Sequence, residues 1–372
     1  MSLEDTGYSS GVDVGYVDEA ESWKLESRFF PSKVGGRPAW LNLSELPSPK
    51  DMECEKCHEA CILLCQIYAP IETRNDCFHR TLFVFLCRNP KCSSTNDNSS
   101  FIVFRSQLRR ENDFYPFDPP EESESWHPEC KAEKWCDLCA ACGNKGVSQC
   151  GRCKKVKYCG RGHQVIHWKD HHKRICGTGV ACDSEEKCSC LLPEYELIVE
   201  PEGDGEKIPK EKELSEDEDD DDDDDDAAEE ARLKEFEKLS REGKIGTLAG
   251  DESVNADLLN MAACEEDKTF NTFKTRISKN SDQVLRYQRG GIPLWMSDEH
   301  TPKDADVPPC AYCGSKRIFE FQVLPQLLNH LCLDDVSQSI DWGILVIYTC
   351  EHSCNEGPAY KREFLWKQDI TQ

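Results

Sequence analysis

The stretch of sequence that decides the fold occurs twice, as GGRPAW at residues 35–40 and as GGIPLW at residues 290–295. A Cys-x-x-Cys pair follows each copy, beginning 14 residues after Trp40 and 15 residues after Trp295. Gly-Gly-x-Pro is typical of a turn, and an indole is large enough to anchor a hydrophobic core. We therefore expect each copy to be a turn that delivers its tryptophan to a core, in preference to a ligand-binding role for the indole.

The similarity between the two regions continues beyond these turns. Nine residues after the second cysteine of each pair stand Gln66 and Gln322. Each region then has an apolar run, a second cysteine pair and a closing run: LFVFL at 82–86, Cys87/Cys92 and FIVFR at 101–105, against ILVIY at 344–348, Cys350/Cys354 and EFLWK at 363–367. Matches in one order at similar offsets predict a duplicated unit, with chance similarity between two β-rich segments as the alternative.

Both regions have the composition of β-sheet. Their aromatic and β-branched runs of four to eight residues are bounded by Gly, Pro, Asn and Asp, which is typical of strands. We expect a mainly β protein of the α+β class with small helical parts. Because the two regions share one plan, they are predicted to be two pseudo-repeated, zinc-ribbon-like β units that pack together as pseudo-symmetric partners.

The charge of the chain is concentrated in one tract. The 372 residues, enough for about two average domains, carry 45 basic and 71 acidic side chains, a net charge of −26. Residues 196–237 hold 22 acidic and five basic side chains, a net −17, with an unbroken acidic run at 216–226. This tract predicts a disordered linker, with a short helix after it at 227–241. The excess of acid argues against duplex nucleic acid as the main ligand and favours a basic partner.

The 24 cysteines require metal, disulfides or both. The amino terminus lacks the basic and apolar regions of a secretory signal, and the apolar runs fall far short of the roughly 18 residues that span a bilayer. We therefore expect a soluble intracellular protein. Thiols stay reduced in that compartment, so the paired Cys-x-x-Cys spacings predict zinc ligands.

Residues of the ligand type are densest between Cys139 and Cys176. Two Cys-x-x-Cys pairs are followed there by two pairs at i,i+4 spacing, which lie on one face of a helix. Eight donors suffice for two tetrahedral zinc ions, and the pairs are expected to interleave. One predicted site consists of Cys139, Cys142, Cys159 and His163, and the other of Cys150, Cys153, His172 and Cys176.

With Gln164 and Trp168 between its ligands, this segment resembles a MYND-type zinc finger. The sixth ligand, usually Cys in that family, is His163 here. The family often places its next histidine three residues after the tryptophan, at His171, whereas the His-x3-Cys spacing selects His172, so both stay candidates. MYND fingers dock proline-rich peptides, and the resemblance implies that Gln164 and Trp168 lie on that surface. Alternatively, Trp168 forms the core of this small domain.

Two further sets of four cysteines stand outside the finger. They are Cys54, Cys57, Cys87 and Cys92 in the first unit, and Cys310, Cys313, Cys350 and Cys354 in the second. Two hairpin-borne pairs that close one tetrahedral site are sound zinc chemistry. We therefore predict about four zinc ions in total, all of them structural because no coordination position is left open.

Ten cysteines remain outside these sets. Four of them are interpreted as small buried apolar residues: Cys61, Cys65, Cys77 and Cys332. Three others are candidates for a further metal or redox cluster that lacks a fourth ligand: Cys182, Cys188 and Cys190.

Four motifs outside the finger resemble the programmed cell death 2 family, and the resemblance covers the chain apart from the acidic tract. The motifs are FPSKVGGRPAW at 30–40, QVLRY at 283–287, PQLLNH at 325–330 and SIDWG at 339–343. Yeast-type relatives in that family are ribosome-assembly factors without the finger. The resemblance implies a dedicated chaperone that captures a basic small-subunit ribosomal protein of the universal S-five class during its synthesis and delivers it to nascent 40S subunits.

Shifts in composition divide the chain into five regions. We predict an N-terminal β-rich zinc-binding unit at 1–134, the MYND-type finger at 135–180, a connector at 181–195, the acidic linker with its helix at 196–264 and a C-terminal β-rich zinc-binding unit at 265–372. The finger and the linker thus interrupt one duplicated body.

The sequence favours binding over catalysis. It has no G-x-S-x-G, no G-x-x-x-x-G-K-[ST] and no G-x-G-x-x-G motif, so we expect that the protein is not an enzyme. The acidic tract would attract a cationic partner, with a purely solubilising linker as the alternative.

A rival prediction comes from the finger, whose segment 139–176 holds nine basic side chains and one acidic one, a net charge of +8. This patch is compatible with contact to rRNA, with binding to the acidic linker or with a localisation signal. It also suits a nuclear adaptor whose finger recruits proline-rich corepressor or signalling proteins. We expect a cytoplasmic and nuclear protein without membrane association or sequence-specific DNA binding.

Overall fold

Aromatic and β-branched runs form twelve strands in the computed structural model, which describes residues 8–126, 130–178, 188–203, 268–331 and 340–370. The strands are β1 (Asp13–Asp18), β2 (Lys33–Val34), β3 (Ile62–Tyr68), β4 (His79–Leu86), β5 (Phe101–Leu108), β6 (Ser148–Gln149), β7 (Lys157–Tyr158), β8 (Tyr195–Pro201), β9 (Leu285–Tyr287), β10 (Arg317–Val323), β11 (Ile344–Cys350) and β12 (Tyr360–Gln368).

Ten of these strands close into one barrel, in the order β1-β8-β2-β3-β4-β5-β12-β11-β10-β9, with β9 returning to β1. The halves meet at two antiparallel seams, where residues 360–363 of β12 pair with 103–106 of β5, and 285–287 of β9 pair with 13–15 of β1. The sequence predicts two units packed against each other, whereas the structure joins their strands by hydrogen bonds into one sheet. Closure gives partners to edge strands that separate units would leave unpaired.

Helices are few in the described part of the chain. They are α1 (Arg161–His167) and α2 (Lys173–Ile175), joined by a π-helical turn at Trp168–His172, and α3 (Lys268–Ser278). In α3, Phe270, Phe273 and Ile277 recur at helical spacing and pack in one cluster with the outward side chains of β10 and β11. Short 3-10 turns lie at Ser22–Leu25, Ser27–Phe29, Pro49–Met52, Asn75–Cys77, Pro90–Cys92, Ala132–Lys134, Asp304–Asp306 and Pro325–His330. The prediction of a mainly β protein with small helical parts is confirmed.

Strand β4 is buried along its whole length because both of its faces are covered. Leu82 belongs to the barrel interior, in one apolar cluster with Ile347 of β11. The alternate residues Phe83 and Phe85 pack outside the barrel against Trp40, with ring centroids 5.4 and 5.8 Å away. This two-sided burial explains why the strand reads as a continuous apolar run, without the polar alternation of a half-exposed strand.

Charged side chains also lie inside the barrel. Arg80 of β4 forms an ion pair with Glu320 of β10, and Arg105 of β5 forms another with Glu363 of β12 at 2.7 Å. All four side chains are fully buried. Burial alone would raise the pKa of Glu320, but the attraction of Arg80 outweighs it and lowers the pKa to about 2. Each ion pair joins one half of the barrel to the other.

The two Gly-Gly-x-Pro-x-Trp turns make the same hydrogen bonds to a neighbouring strand. The Gln66 side chain of β3 accepts from the N–H of Ala39 at 2.9 Å and donates to its carbonyl at 3.3 Å. The Gln322 side chain of β10 accepts from the N–H of Leu294 at 2.6 Å and donates to its carbonyl at 3.0 Å. The glutamines noted in the sequence therefore hold the two turns in the same way.

Both tryptophans of these turns pack into cores, although to different extents. Trp40 is 1% exposed, whereas Trp295 is half-buried beside the cluster under α3. The first turn also depends on its glycines, because Gly35 has a φ of +63° and a side chain there would come within 1.9 Å of the Pro193 carbonyl oxygen.

The structure differs from the predicted regions where the linker begins. Residues 196–201 belong to β8, which lies between β1 and β2 and pairs with β1 over six residues. Leu197 of this strand is buried in the barrel interior, so pairing and burial outweigh the local acidic composition. The acidic run at 216–226, the helix predicted at 227–241, Cys182 and Cys332 lie outside the described residues. Within the described residues, no helix combines the length and the apolar character that crossing a bilayer requires.

Candidate metal centres

The four Cys-x-x-Cys pairs of the predicted metal sites fold into the same turn. The carbonyl of the first cysteine accepts a hydrogen bond at 2.9 Å from the N–H of the fourth residue after it. That fourth residue has a positive φ in every case: His58 (61°), Gly143 (75°), Lys154 (59°) and Gly314 (76°). Each turn brings the two thiols of its pair to one side, where they can share an ion.

The first finger cluster collects Cys139, Cys142, Cys159 and His163, all of them buried, with donor atoms within 4.8 Å of one another. The sulfurs of Cys142 and Cys159 are 3.8 Å apart, and the Cys159 sulfur is 3.2 Å from His163 Nδ1. Cys159 directly follows β7, and His163 lies in the first turn of α1. Hydrogen bonds from Cys142 and Cys159 lower the pKa of the Cys139 thiol, which favours the thiolate that zinc binds.

The second finger cluster collects Cys150, Cys153, His172 and Cys176. The sulfurs of Cys150 and Cys176 are 3.8 Å apart, and the Cys153 sulfur is 3.4 Å from His172 Nε2. The first and third pairs of the finger therefore form one cluster and the second and fourth pairs form the other, in the interleaved arrangement that the spacing predicts. Because the four ligand pairs alternate along the chain between the two clusters, the clusters together fix the conformation of the whole segment 139–176.

A π-helical turn decides between His171 and His172. Residues 168–172 adopt hydrogen bonds that span five residues, one more than in an α-helix. This extra residue moves the ligand-bearing face forward by one position, so the face that carries His163 and His167 continues at His172. The ring of His172 accordingly joins the cluster, and His171 stays outside it.

The outer cysteines form the two predicted sets as well. Cys54, Cys57, Cys87 and Cys92 have donor atoms within 4.8 Å of one another, and so have Cys310, Cys313, Cys350 and Cys354. The sulfur separations are 3.5 Å for Cys57 and Cys87, 3.7 Å for Cys310 and Cys354, and 3.5 Å for Cys313 and Cys350. In each half a long strand, β4 or β11, runs directly into the second pair, so the barrel itself places these donors.

The donor geometry fits zinc. Tetrahedral zinc with bonds of about 2.3 Å separates neighbouring sulfurs by about 3.8 Å, close to the 3.5–3.8 Å found here. A disulfide would need about 2.05 Å. Within the described residues, the chain thus carries four Cys/His clusters that can bind about four zinc ions. Four protein donors leave no open position, so bound zinc would stabilise the fold rather than activate a substrate.

Two residues of the first turn, which sequence reasoning assigned no site role, hold the finger on the barrel. Arg37 Nη2 donates to the carbonyl of Ala140 at 2.8 Å, and Trp40 Nε1 donates to the carbonyl of Gly143 at 2.8 Å. Both accepting residues lie in the first Cys-x-x-Cys turn of the finger. The sequence indicates this contact only through a difference between the two Gly-Gly-x-Pro-x-Trp turns, because the second turn has Ile292 where the first has Arg37.

Gln164 and Trp168, the predicted peptide-docking residues, are both half-buried in the finger helix. The Trp168 ring packs against the main apolar cluster and meets the His172 ring edge-on, with centroids 5.7 Å apart. Between them Val165 is 42% exposed. The tryptophan therefore contributes to the small core, and the docking role of both residues stays a prediction.

The structure describes five of the remaining cysteines that the sequence analysis interprets. Cys61, Cys65 and Cys77 are buried, as predicted, and burial raises the pKa of the Cys77 thiol to about 11. Cys188 and Cys190 are buried with their sulfurs 3.4 Å apart, while Cys182, the third candidate for a further cluster, lies outside the described residues.

A closed β-barrel that carries a docked zinc finger with two interleaved Cys/His sites defines this chain as a structural zinc-binding protein. Family models match all three parts: the N-terminal domain of programmed cell death protein 2 at residues 11–122, the MYND finger at 139–176 and the C-terminal putative domain of programmed cell death protein 2 at 267–369. The chain belongs to the programmed cell death protein 2 family.

Relatives cover nearly the full length. Programmed cell death protein 2 of Bos taurus is 42% identical over 380 residues, which cover 100% of this chain and 99% of the relative. The Mus musculus protein of the same name is 40% identical over 364 residues, 97% of each chain. A Schizosaccharomyces pombe protein named "Probable 20S rRNA accumulation protein 4" is 23% identical over 392 residues, 92% of each chain. No solved structure matches the chain significantly.

Proposed function

We propose that this chain is a non-enzymatic assembly factor, which binds a basic small-subunit ribosomal protein of the universal S-five class during its synthesis and delivers it to nascent 40S subunits. The observation that carries the proposal is the likeness, over 92% of the chain, to the Schizosaccharomyces pombe protein named for 20S rRNA accumulation. Membership of one family favours a role in the same process.

The charge distribution supports a basic client. The chain carries a net charge of −26, and residues 196–237 alone carry −17. An unassembled ribosomal protein lacks the rRNA that will neutralise it. An acidic tract attracts such a protein at long range and competes with nucleic acid for its basic surface.

The metal clusters support a binding role. Each of the four sets supplies four protein donors, so a bound zinc ion would have no position for a substrate or an activated water.

We place the protein in both cytoplasm and nucleus, because synthesis of the client and its assembly into subunits occur in different compartments.

The test is to purify the tagged full-length chain from translating cells and to identify the associated mRNAs and proteins. The expected result is enrichment of the mRNA and the nascent chain of the universal S-five class ribosomal protein. A variant with Asn and Gln in place of Asp and Glu at 216–226 should retain much less client, and a control with every Asp of that run changed to Glu should retain it fully. Absence of the client from the unmodified chain would refute the proposal, and equal capture by the neutralised variant would reduce the tract to a solubilising linker.

A second candidate function is a nuclear adaptor, and the finger is the observation that favours it. The MYND finger is a protein-interaction module, its segment carries a net charge of +8, and Val165 is exposed between the half-buried Gln164 and Trp168. Under this proposal, Val165→Asp abolishes binding of proline-rich peptides, as measured by fluorescence anisotropy, and leaves capture of the ribosomal client unchanged.

We also propose that the two halves of the barrel descend from one duplicated, zinc-ribbon-like unit. In each half the first long strand has an irregular register with its neighbour, between Leu63 and Cys65 in β3 and between Phe319 and Phe321 in β10. The glutamine contacts to the two turns and the outer cysteine sets also recur. These shared details support the ordered matches seen in the sequence.

A further inference from the structure

The first Gly-Gly-x-Pro-x-Trp turn shows what such a turn can bind. Its backbone is held by Gln66, and its outer side meets a loop that presents two backbone carbonyls to Arg37 and Trp40. Trp40 is 1% exposed, because Phe83, Phe85 and Tyr360 pack on its ring in addition to the contact with the finger. A turn of this kind therefore provides an indole N–H and the side chain of its third residue for a partner loop.

The second turn is held in the same way by Gln322. Among the described residues, the Tyr8 ring lies against its first glycine, Gly290, while the side chain of Ile292 stays open to solvent. Ile292, which replaces the finger-binding arginine, is 83% exposed, more than any other large apolar residue described. Trp295 is half-buried against the cluster under α3, and its indole N–H makes no hydrogen bond within the described residues. An exposed aliphatic side chain in the same turn as a half-buried indole matches the composition of a protein interface.

The segment that follows the second turn, called its rim here, is acidic. Residues 298–306 carry four exposed acidic side chains and one basic side chain, a net charge of −3: Asp298, Glu299, Asp304, Asp306 and Lys303. This stretch is held against β12, because the indole of Trp366 donates to the His300 carbonyl at 2.8 Å. An acidic rim repels RNA and the acidic tract of the chain itself, and it attracts a basic polypeptide.

We propose that the second turn, residues 290–295 with its acidic rim, is a docking surface for the ribosomal client. An apolar side chain of the client packs on Ile292, a backbone carbonyl of the client accepts from Trp295 Nε1, and flanking Lys or Arg residues face the rim at 298–306. The bond from the indole to a carbonyl copies the one that Trp40 makes to the finger, whereas the apolar contact is particular to the second turn, where Ile292 replaces Arg37. This inference rests on the proposed function, since it names the surface through which that client is held.

The test uses the full-length zinc-loaded chain and the universal S-five class ribosomal protein translated in vitro in its presence. Client captured in soluble form is measured against the concentration of the chain. Ile292→Lys removes the apolar contact and adds a charge that repels a basic client, so the concentration needed for half-maximal capture should rise about tenfold or more. The matched control is Val147→Lys, at a 64% exposed position on the finger, which should capture the client like the unmodified chain.

A photo-crosslinking amino acid at position 292 provides a second readout that does not depend on a loss of binding. It should form a covalent adduct with the client, and the same amino acid at position 147 should not. Capture by Ile292→Lys at the unmodified level, or no adduct from position 292, would overturn the inference and leave the proposed function intact. An equal loss of client capture by Val147→Lys would also overturn the inference, because the added positive charge alone would then explain the loss. If the unmodified chain captures no client, the proposed function fails and the inference fails with it.

Discussion

His79 in β4 shows how burial sets the chemistry of a single residue in this protein. Its ring stacks on Phe30 with centroids 4.3 Å apart, and its Nδ1 lies 2.9 Å from the hydroxyl of Tyr68. Only 7% of the residue is exposed. Burial, assisted by the positive charge of Arg110, lowers the pKa of the imidazole from 6.5 to about 4. The folded protein therefore keeps this histidine neutral.

The lowered pKa of His79 predicts a loss of stability in mild acid. As the pH falls, His79 takes up a proton in the unfolded chain before it does so in the folded protein. The contribution of the neutral ring to the free energy of unfolding is therefore complete above pH 6.5. It declines by up to about 1.4 kcal/mol per pH unit as the pH falls towards 4. His79→Phe keeps the stacking without titrating, and its melting temperature should fall less than that of the unmodified protein between pH 7 and pH 5.5. The exposed His352→Gln variant is the control and should behave like the unmodified protein. Equal falls in all three proteins would contradict the assignment.

The finger helix is the element whose detailed form matters most for the site. Its α-helical start places His163 in one cluster, and the π-helical turn at 168–172 then shifts the register so that His172 enters the other. A regular α-helix would bring the neighbouring residue to that face. The helix thus carries ligands of both clusters, and its irregularity selects one of two adjacent histidines.

Paired substitutions in this helix test that selection. His172→Ala should lower the zinc content, measured by elemental analysis, from about four ions per chain to about three, since the second cluster loses a donor. His171→Ala should keep about four. Retention of four ions by the first variant, or loss of one by the second, would show that the ligand had been assigned to the wrong residue.

At the scale of the whole molecule, the barrel makes one body of two halves that the sequence presents as separate units. The seams between β5 and β12 and between β1 and β9 supply backbone pairing. The fully buried ion pair between Arg80 and Glu320 adds a link across the interior, and Thr349 also donates to that carboxylate. Removal of one charge would leave the other buried without compensation.

Substitution of Glu320 tests this link. Glu320→Gln should lower the free energy of unfolding by about 3–5 kcal/mol, measured by denaturant titration of the zinc-loaded protein, because Arg80 would remain charged and buried. The matched control is Glu122→Gln, which breaks a solvent-exposed ion pair with Lys24 and should cost less than about 1 kcal/mol. A loss for Glu320→Gln as small as that of the control would contradict the role of the buried pair.

The sequence by itself determined the ligand chemistry of this protein. A Cys-x-x-Cys pair and an i,i+4 pair are local units whose geometry follows from a few neighbouring residues, so spacing alone grouped the donors into four sets that the structure brings together. The mainly β composition and the two matching turns were readable for the same reason, because runs of apolar residues and Gly-Gly-x-Pro segments act locally.

Only the tertiary structure decided how these local units combine. Barrel closure depends on pairing between strands far apart in sequence, and β8 joins the barrel although its composition matches the acidic tract around it. The His-x3-Cys spacing already selects His172, and the π-helical turn shows how that residue reaches the cluster. The contrast between an Arg37 turn covered by the finger and an exposed Ile292 required the finger to be in place. Barrel closure, the inclusion of β8 and the covering of one turn depend on contacts between segments that are far apart in the sequence. Long-range burial and hydrogen bonding form these contacts, and no local pattern of residues encodes them.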